Sequence, residues 1–305
     1  MESLVKKQSS IGYWRRQLRD PKVRVAYLFI AVPTLLVLIF RFIPVFVSLP
    51  LSFLDYDIIN PSKFVGFKNY SGLMDDRIFW LSLKNVFYYV VGTVPVSMIL
   101  GLLLAVAVYA KWFKGREIMR AIYFIPVIIS MTVVSLIFIW IYNPSYGALN
   151  AILNSLGLPS VMWLGPQFAM PMVIIMSIWK SLGYYMVIYL AGLTSIPQQL
   201  YEAAELDGAT KFQQFKSITI PLLLPVTLFL SVLGIIGAFQ VFDQIYVLTA
   251  GGPMNKTTVV VYYIWQNAFQ KFRMGYASAI AWVLFIIMFS LTVTQFKLFG
   301  KGAEY

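Results

Sequence analysis

Long apolar stretches separated by short polar segments set the pattern of this chain. They cover about 25–51, 79–109, 121–141, 168–193, 221–247 and 275–296. Each is long enough to cross a hydrocarbon core, which takes ~20 residues of helix. The pattern predicts an all-α membrane protein with six transmembrane helices. Proline recurs inside these stretches, at Pro33 and Pro44 in the first, Pro95 in the second and Pro126 in the third. Membrane helices tolerate it where neighbours re-satisfy the freed carbonyl. The second stretch is rich in small residues around Gly101, and the third ends in Trp140 and Tyr142, which read as an aromatic interface anchor. Arg41 either snorkels to the interface or faces a pathway.

The polar segments differ among themselves. Residues 52–77 read as a loop containing FVGFKNY (Phe64–Tyr70), and 143–166 as an uncharged, ordered loop with short helical pieces. Residues 248–273, opening with TAGGPMNKTT, read as another loop. The stretch at 194–220 is unlike the rest. It holds Glu202, Glu205, Asp207, Lys211 and Lys216 between two apolar spans.

Composition supports the membrane reading. The 305 residues are 60% hydrophobic and 12% charged, with a mean hydropathy of +0.77, whereas a soluble domain is about 25% charged. The net charge of +12 is a topology signal rather than a nucleic-acid footprint, because its lysines and arginines cluster at 1–24 and 110–120, beside apolar spans. With six spans, 15 Lys and Arg fall on the side of the termini and six on the other. The asymmetry predicts cytoplasmic termini. The expected organisation is a basic segment at 1–24, a transmembrane domain at 25–297 with a cytoplasmic loop at 194–220, and a tail at 298–305. The first 24 residues are too polar, and the run after them too long, for a cleavable signal peptide. The absence of Cys and His removes disulfides, thiol chemistry, imidazole metal sites and His-based acid–base catalysis.

The charged segment divides into two short helices. Pro197 suits a first helical turn, and Leu200, Ala203 and Ala204 share a face. Gly208 stops that helix. Thr210 with Gln213 forms a capping-box pattern for the second, which shows Phe212 and Phe215 and runs into Pro221. Such a segment either docks in a groove on another protein or lies on lipid. Glu202, Glu205 and Asp207 carry the wrong sign for an anionic leaflet, which favours protein docking.

Glu202-Ala203-Ala204, Gly208, Ile218 and Pro221 are spaced as EAA, three residues, Gly, nine residues, Ile-x-x-Pro. The segment resembles the EAA loop of the membrane subunits of bacterial ABC importers, with Ile220 where that family usually has Leu. FVGFKNY, RAIYFIP, WKSLGYYM and FDQIYVLTAGGP are similar to the carbohydrate-uptake branch, close to the MalF-type subunit of maltose importers. The resemblance implies a type I ABC importer permease fold. It implies a coupling helix seated in a cytoplasmic ATPase subunit, with Glu202 as polar contact, Ala203 and Ala204 allowing close approach, Asp207 beside them, and Gly208 at the bend. The implied partners are a second permease subunit, two ATP-binding subunits, an extracellular or periplasmic solute-binding protein, a carbohydrate, and membrane lipid. The chain has no G-x-x-x-x-G-K-[ST] loop; Gly300-Lys301 lacks both the upstream Gly and the following Ser or Thr. ATP and Mg are therefore expected on the partner ATPase subunits and no cofactor on this chain, which is expected not to be an enzyme.

A polar solute needs polar or aromatic groups at mid-depth. The candidates are Trp179, Lys180, Tyr184 and Tyr185 in the fourth span and Phe239, Gln240, Phe242 and Asp243 in the fifth. Aromatic faces with hydrogen-bonding groups suit a carbohydrate. By the same resemblance Tyr184, Val127 and Met131 fall on sugar-contacting positions, while Gly234, Ala238 and Val241 fall where maltose importers have polar contacts. That departure argues against maltose bound in the same way. Asp243, if buried, requires a partner; Lys180 either pairs with a carboxylate or favours an anionic sugar. The expected function is import of a sugar or oligosaccharide, with a polyol or anionic solute such as glycerol phosphate or a uronic-acid oligosaccharide as the alternative. A stand-alone secondary transporter would show inverted repeats and more buried acids, and an intramembrane enzyme would need a base, nucleophile or metal ligands in its spans.

Overall fold

The computed structural model describes residues 21–109 and 115–299. The basic segment up to residue 20, the stretch at 110–114 and the tail from 300 lie outside the described residues. Among the described residues, five helices are long and apolar enough to cross a membrane, and a bent pair makes up to a sixth crossing.

The first helix, α1 (Pro21–Leu51), is mostly apolar, with Lys22, Arg24 and Arg41 its charged residues, and none of its residues is buried. It widens into a π-helical turn at Leu38–Phe42. That turn precedes Pro44, whose ring would strike the Phe40 carbonyl in a regular helix, and the extra residue per turn relieves the clash. The same arrangement recurs where a π turn at Phe215–Thr219 precedes Pro221.

The expected loop at 52–77 is structured. A short hairpin pairs β1 (Leu54–Asp55) with β2 (Lys63–Phe64), and α2 (Lys68–Met74) follows. Asn69 closes the unit by donating to the carbonyls of Ser52 and Leu54, both at 2.9 Å. The 33-residue α3 (Arg77–Tyr109) and α7 (Ala169–Ser195) form the central pair. They cross at Gly101, where a Cβ would lie 2.4 Å from the Tyr185 Cβ. Only a residue without a side chain lets the two backbones come so close.

The third predicted span is broken in its middle. It is two helices, α4 (Arg116–Ile128) and α5 (Met131–Ile141), bent by 98°. Ile129 and Ser130 are extended (ψ 138° and 140°), so the hydrogen-bond ladder ends at Ile128 and restarts from the Ser130 carbonyl, which accepts the Val134 amide. Tyr142 is buried rather than lipid-facing, and it donates to the Met172 carbonyl at 3.1 Å. The uncharged segment after it contains α6 (Ala148–Ser155), in keeping with a loop holding helical pieces.

Beyond α7 come α8 (Gln198–Leu206) and α9 (Lys211–Gln214), which continues through the π turn into Ile220–Leu222. The fifth span is also interrupted. Helix α10 (Leu224–Phe239) stops, Phe242 leaves helical geometry (φ −143°, ψ −60°), and α11 (Asp243–Leu248) restarts the ladder. The expected loop at 248–273 contains α12 (Val260–Trp265), whose Val260, Tyr262 and Tyr263 are buried. Helix α13 (Met274–Phe299) is the last described helix and packs on α12, α2 and the last part of α1.

Two buried clusters divide the bundle. One, around Leu190, Leu193 and Leu223, lies at the end where α7 meets α8; the other joins α3 and α7 to α11, α12 and α13. The second end carries the longer connections, and long-range polar ties fix it. Asp76 caps α3 by accepting the amides of Ile78 (2.9 Å) and Phe79 (3.1 Å) on Oδ1. Its Oδ2 accepts the hydroxyls of Tyr263 (2.7 Å) and Tyr276 (2.6 Å). Burial pushes the Asp76 carboxyl up, but these four hydrogen bonds outweigh it and hold the group below the ordinary carboxylate range. Burial and the same carboxylate push Tyr263 up to about 12. Asn85 donates to the carbonyls of Asn255 (2.9 Å) and Thr258 (2.8 Å), pinning the turn after α11 onto α3.

Candidate functional site

The first candidate site is the segment that joins α7 to α10. Ile196 and Pro197 are extended, and helix α8 begins at Gln198, so Pro197 caps the helix rather than occupying its first turn. Its end is a double hydrogen-bonded stop: the Gly208 amide donates to Glu205 (3.1 Å) and the Ala209 amide to Ala204 (2.8 Å). Gly208 has φ +76° and open space around it, so the backbone angle and not crowding selects glycine there. Thr210 then starts α9 with a complete capping box, its Oγ1 accepting the Gln213 amide while Gln213 Oε1 accepts the Thr210 amide. Lys211 pairs with Glu205 across the turn.

One side of this segment is anchored. The hydroxyls of Tyr201 and Thr219 meet at 2.9 Å, and Tyr201 and Ile218 pack on the cluster of Leu190, Leu193, Ile196 and Leu223. The other side is bare. Glu202, Ala203, Asp207 and Gly208 are exposed and Ala204 is half-buried; Leu206 is 90% and Phe212 73% exposed. The segment is a firmly backed, outward-facing surface of acids, small residues and two large apolar side chains.

The second candidate site is a cleft of about 410 Å³ among α3, α4, α5, α7, α10 and α11. That size falls in the range of small-ligand sites. It brings together Val127, Met131, Lys180, Tyr184, Tyr185, Gly234 and Ala238 of the residues singled out from the sequence. Tyr184 is 36% exposed and stands edge-on to Tyr185, which is only 6% exposed (centroids 5.7 Å apart). A Cβ at Gly234 would lie 2.5 Å from the Tyr185 hydroxyl, so that hydroxyl occupies the space a polar side chain at 234 would fill. Lys180 Nζ donates to the Val127 carbonyl at 3.4 Å.

Other candidates fall outside the cleft. Phe239 is buried edge-on against Phe87 (5.1 Å), and Trp179 packs on Phe138 (5.4 Å). Val241 belongs to the buried core, Phe242 stacks on Tyr246, and Gln240 is exposed. Asp243 is exposed at the first turn of α11, so it is no buried carboxylate in need of a partner.

Sequence reasoning missed the polar wall of the cleft, made of Tyr89, Thr93, Ser97, Ser177, Ser181 and Gln244. Gln244 donates to the Tyr89 hydroxyl (2.8 Å), and the hydroxyls of Ser97 and Ser181 meet at 3.1 Å across α3 and α7. A signal existed: Asn85, Tyr89, Thr93, Ser97 and Gly101 recur every fourth residue along α3, a polar and small stripe on one face. No acid lines the cleft, and among the described residues no group of three or more acids could hold a metal ion.

Known proteins share this architecture. Residues 97–298 match the family described as binding-protein-dependent transport system inner membrane component. The probable ABC transporter permease protein YurN of Bacillus subtilis is 41% identical over 92% of this chain and 97% of its own length. The trehalose/maltose transport system permease protein MalF of Thermococcus litoralis is 37% identical over 92% of this chain and 95% of its own. Among solved structures, a bacterial ABC transporter involved in import of the acidic polysaccharide alginate matches with a TM-score of 0.85. It is 26% identical over 95% of this chain and 99% of its own. A bacterial alginate ABC transporter in complex with alginate pentasaccharide-bound periplasmic protein matches at 0.84, with 25% identity and the same coverage. The chain therefore belongs to the binding-protein-dependent transport inner membrane component family of ABC importer permeases and is a multi-pass inner membrane protein.

Proposed function

We propose that this permease translocates a sugar or oligosaccharide delivered by an extracellular solute-binding protein, driven by ATP hydrolysis in separate cytoplasmic subunits. The observation that carries the reading is the α8–α9 segment. It presents an exposed docking surface while its back is packed onto α7 and the start of α10, two helices that line the cleft. A partner that grips Glu202, Ala203, Ala204, Asp207 and Gly208 and moves would move those helices with it. The ATPase subunits would bind ATP and Mg, and both termini would share their side of the membrane. A second permease subunit accounts for α1, which finds no burial within its own chain.

The cargo reading rests on the cleft. Tyrosine faces beside hydroxyls and an amide suit pyranose rings, and two relatives are named for trehalose/maltose and alginate. A charged sugar is the second reading, because Lys180 is the only charged side chain lining the cleft.

Glu202→Lys tests the coupling role. The variant is expected to insert normally but lose co-purification of the ATPase subunits and lose uptake; wild-type uptake from it would defeat the proposal.

A further inference from the structure

We propose that Lys180 is a positioning residue that latches the joint between α4 and α5, tying the solute cleft to the coupling segment. The role builds on the reading of the cleft as the passage, and it follows from where the charge finds its counterpart. No carboxylate lines the cleft. The ammonium instead meets the last turn of α4, donating to the Val127 carbonyl. In a continuous helix that carbonyl would take the Met131 amide, but the extended Ile129 and Ser130 break the ladder. The carbonyls left open at a helix C-terminus carry about half a negative charge, and a cation there is stabilising.

A second contact lies one turn along α7. A Cβ on Gly183 would come 2.0 Å from the Tyr123 carbonyl oxygen, so the backbones of α7 and α4 touch there. Lys180 and Gly183, three residues apart, therefore form one face of α7 that grips α4. The other half of the broken span is held differently: α5 packs chiefly on α11. The two halves thus differ in their main neighbour, although Phe138 of α5 also packs against Trp179 of α7, and α7 runs unbroken from the Lys180 contact to Ser195, where the coupling segment begins. An ammonium has three donors, so a solute oxygen in the cleft can engage the group that holds α4.

The chain contains no cysteine, so a spin-label pair at Ile122 on α4 and Ile137 on α5, both exposed, can report the joint in the assembled transporter. Lys180→Met keeps the length and removes the charge; Lys180→Arg restores the charge. The expected result for Lys180→Met is a broadened inter-label distance distribution and a fall of at least about fivefold in the ratio of solute-stimulated to basal ATPase rate, the low end of site–site coupling. Lys180→Arg should recover both. An unchanged distance distribution in Lys180→Met overturns the latch, and so does a defect confined to anionic solutes with unchanged distances. Should Lys180→Met not accumulate, Gly183→Ala must broaden the same distribution, and a narrow one counts against the latch. If the distances respond but the wild-type complex transports no sugar, the cargo reading fails and the latch stands.

Discussion

The α8–α9 segment and the opposite end of the bundle are held in contrasting ways. The turn from α8 to α9 takes its shape from neighbours in sequence: the stop at Gly208, the capping box of Thr210 and Gln213, and the Lys211–Glu205 pair all close within six residues. The far end takes its shape from residues 170 to 200 positions apart, as Asp76 meets Tyr263 and Tyr276 and Asn85 meets Asn255 and Thr258. A locally determined element keeps its form while it moves as a unit. An element tied over long range holds distant parts of the chain in fixed relation.

Substitutions can break this contrast. The largest effect is expected for Asp76→Ala, which leaves the hydroxyls of two buried tyrosines and two amides without their acceptor. Hydrogen bonds to a charged group are worth ~1.5–3 kcal/mol each, so a loss of about 3 kcal/mol, read as a lower unfolding midpoint of the purified protein, is expected. Acid should mimic it. Because the folded carboxyl lies below its ordinary value, its contribution is fully present above about pH 4 and is lost as pH falls through the folded pKa. Labels at the far end should then loosen while labels on α8 do not. Thr210→Ala should cost about 1 kcal/mol, seen as faster amide exchange confined to 208–214. The smallest effect is expected for Lys211→Ala, since an exposed ion pair is worth ~0–1 kcal/mol. A midpoint shift as large as that of Asp76→Ala would show that the α8–α9 segment is not locally determined.

The same contrast explains what could be read from the sequence. The long apolar helices α1, α3, α7 and α13 follow from hydropathy, and the short helices α8 and α9 from caps whose partners lie three to five residues away. The break at Ile129–Ser130 carried no such mark, because the apolar run continues through it and Pro126 lies within α4 rather than at its end. Helix α12 was hidden because VVYYIW has no polar face of its own and is stabilised by packing on α13. In the cleft, Tyr184, Tyr185 and Lys180 were legible as polar or aromatic residues in mid-span. Gln244 was not, because the break after Phe239 resets the helical phase and puts it, in place of Gln240 and Asp243, toward Tyr89.

The length of α3 has a consequence for the protein's surroundings. At 1.5 Å per residue its 33 residues extend about 50 Å, against a hydrocarbon core of ~30 Å. Arg77 and Lys84 fall in its first two or so turns, and apolar residues dominate the remainder. A bilayer several ångströms thicker would be matched by that rod without exposing a charge to lipid, and a thinner one would be met by tilting it. Because α3 forms one wall of the cleft, the cleft should tolerate longer acyl chains better than one built on helices that just match the membrane.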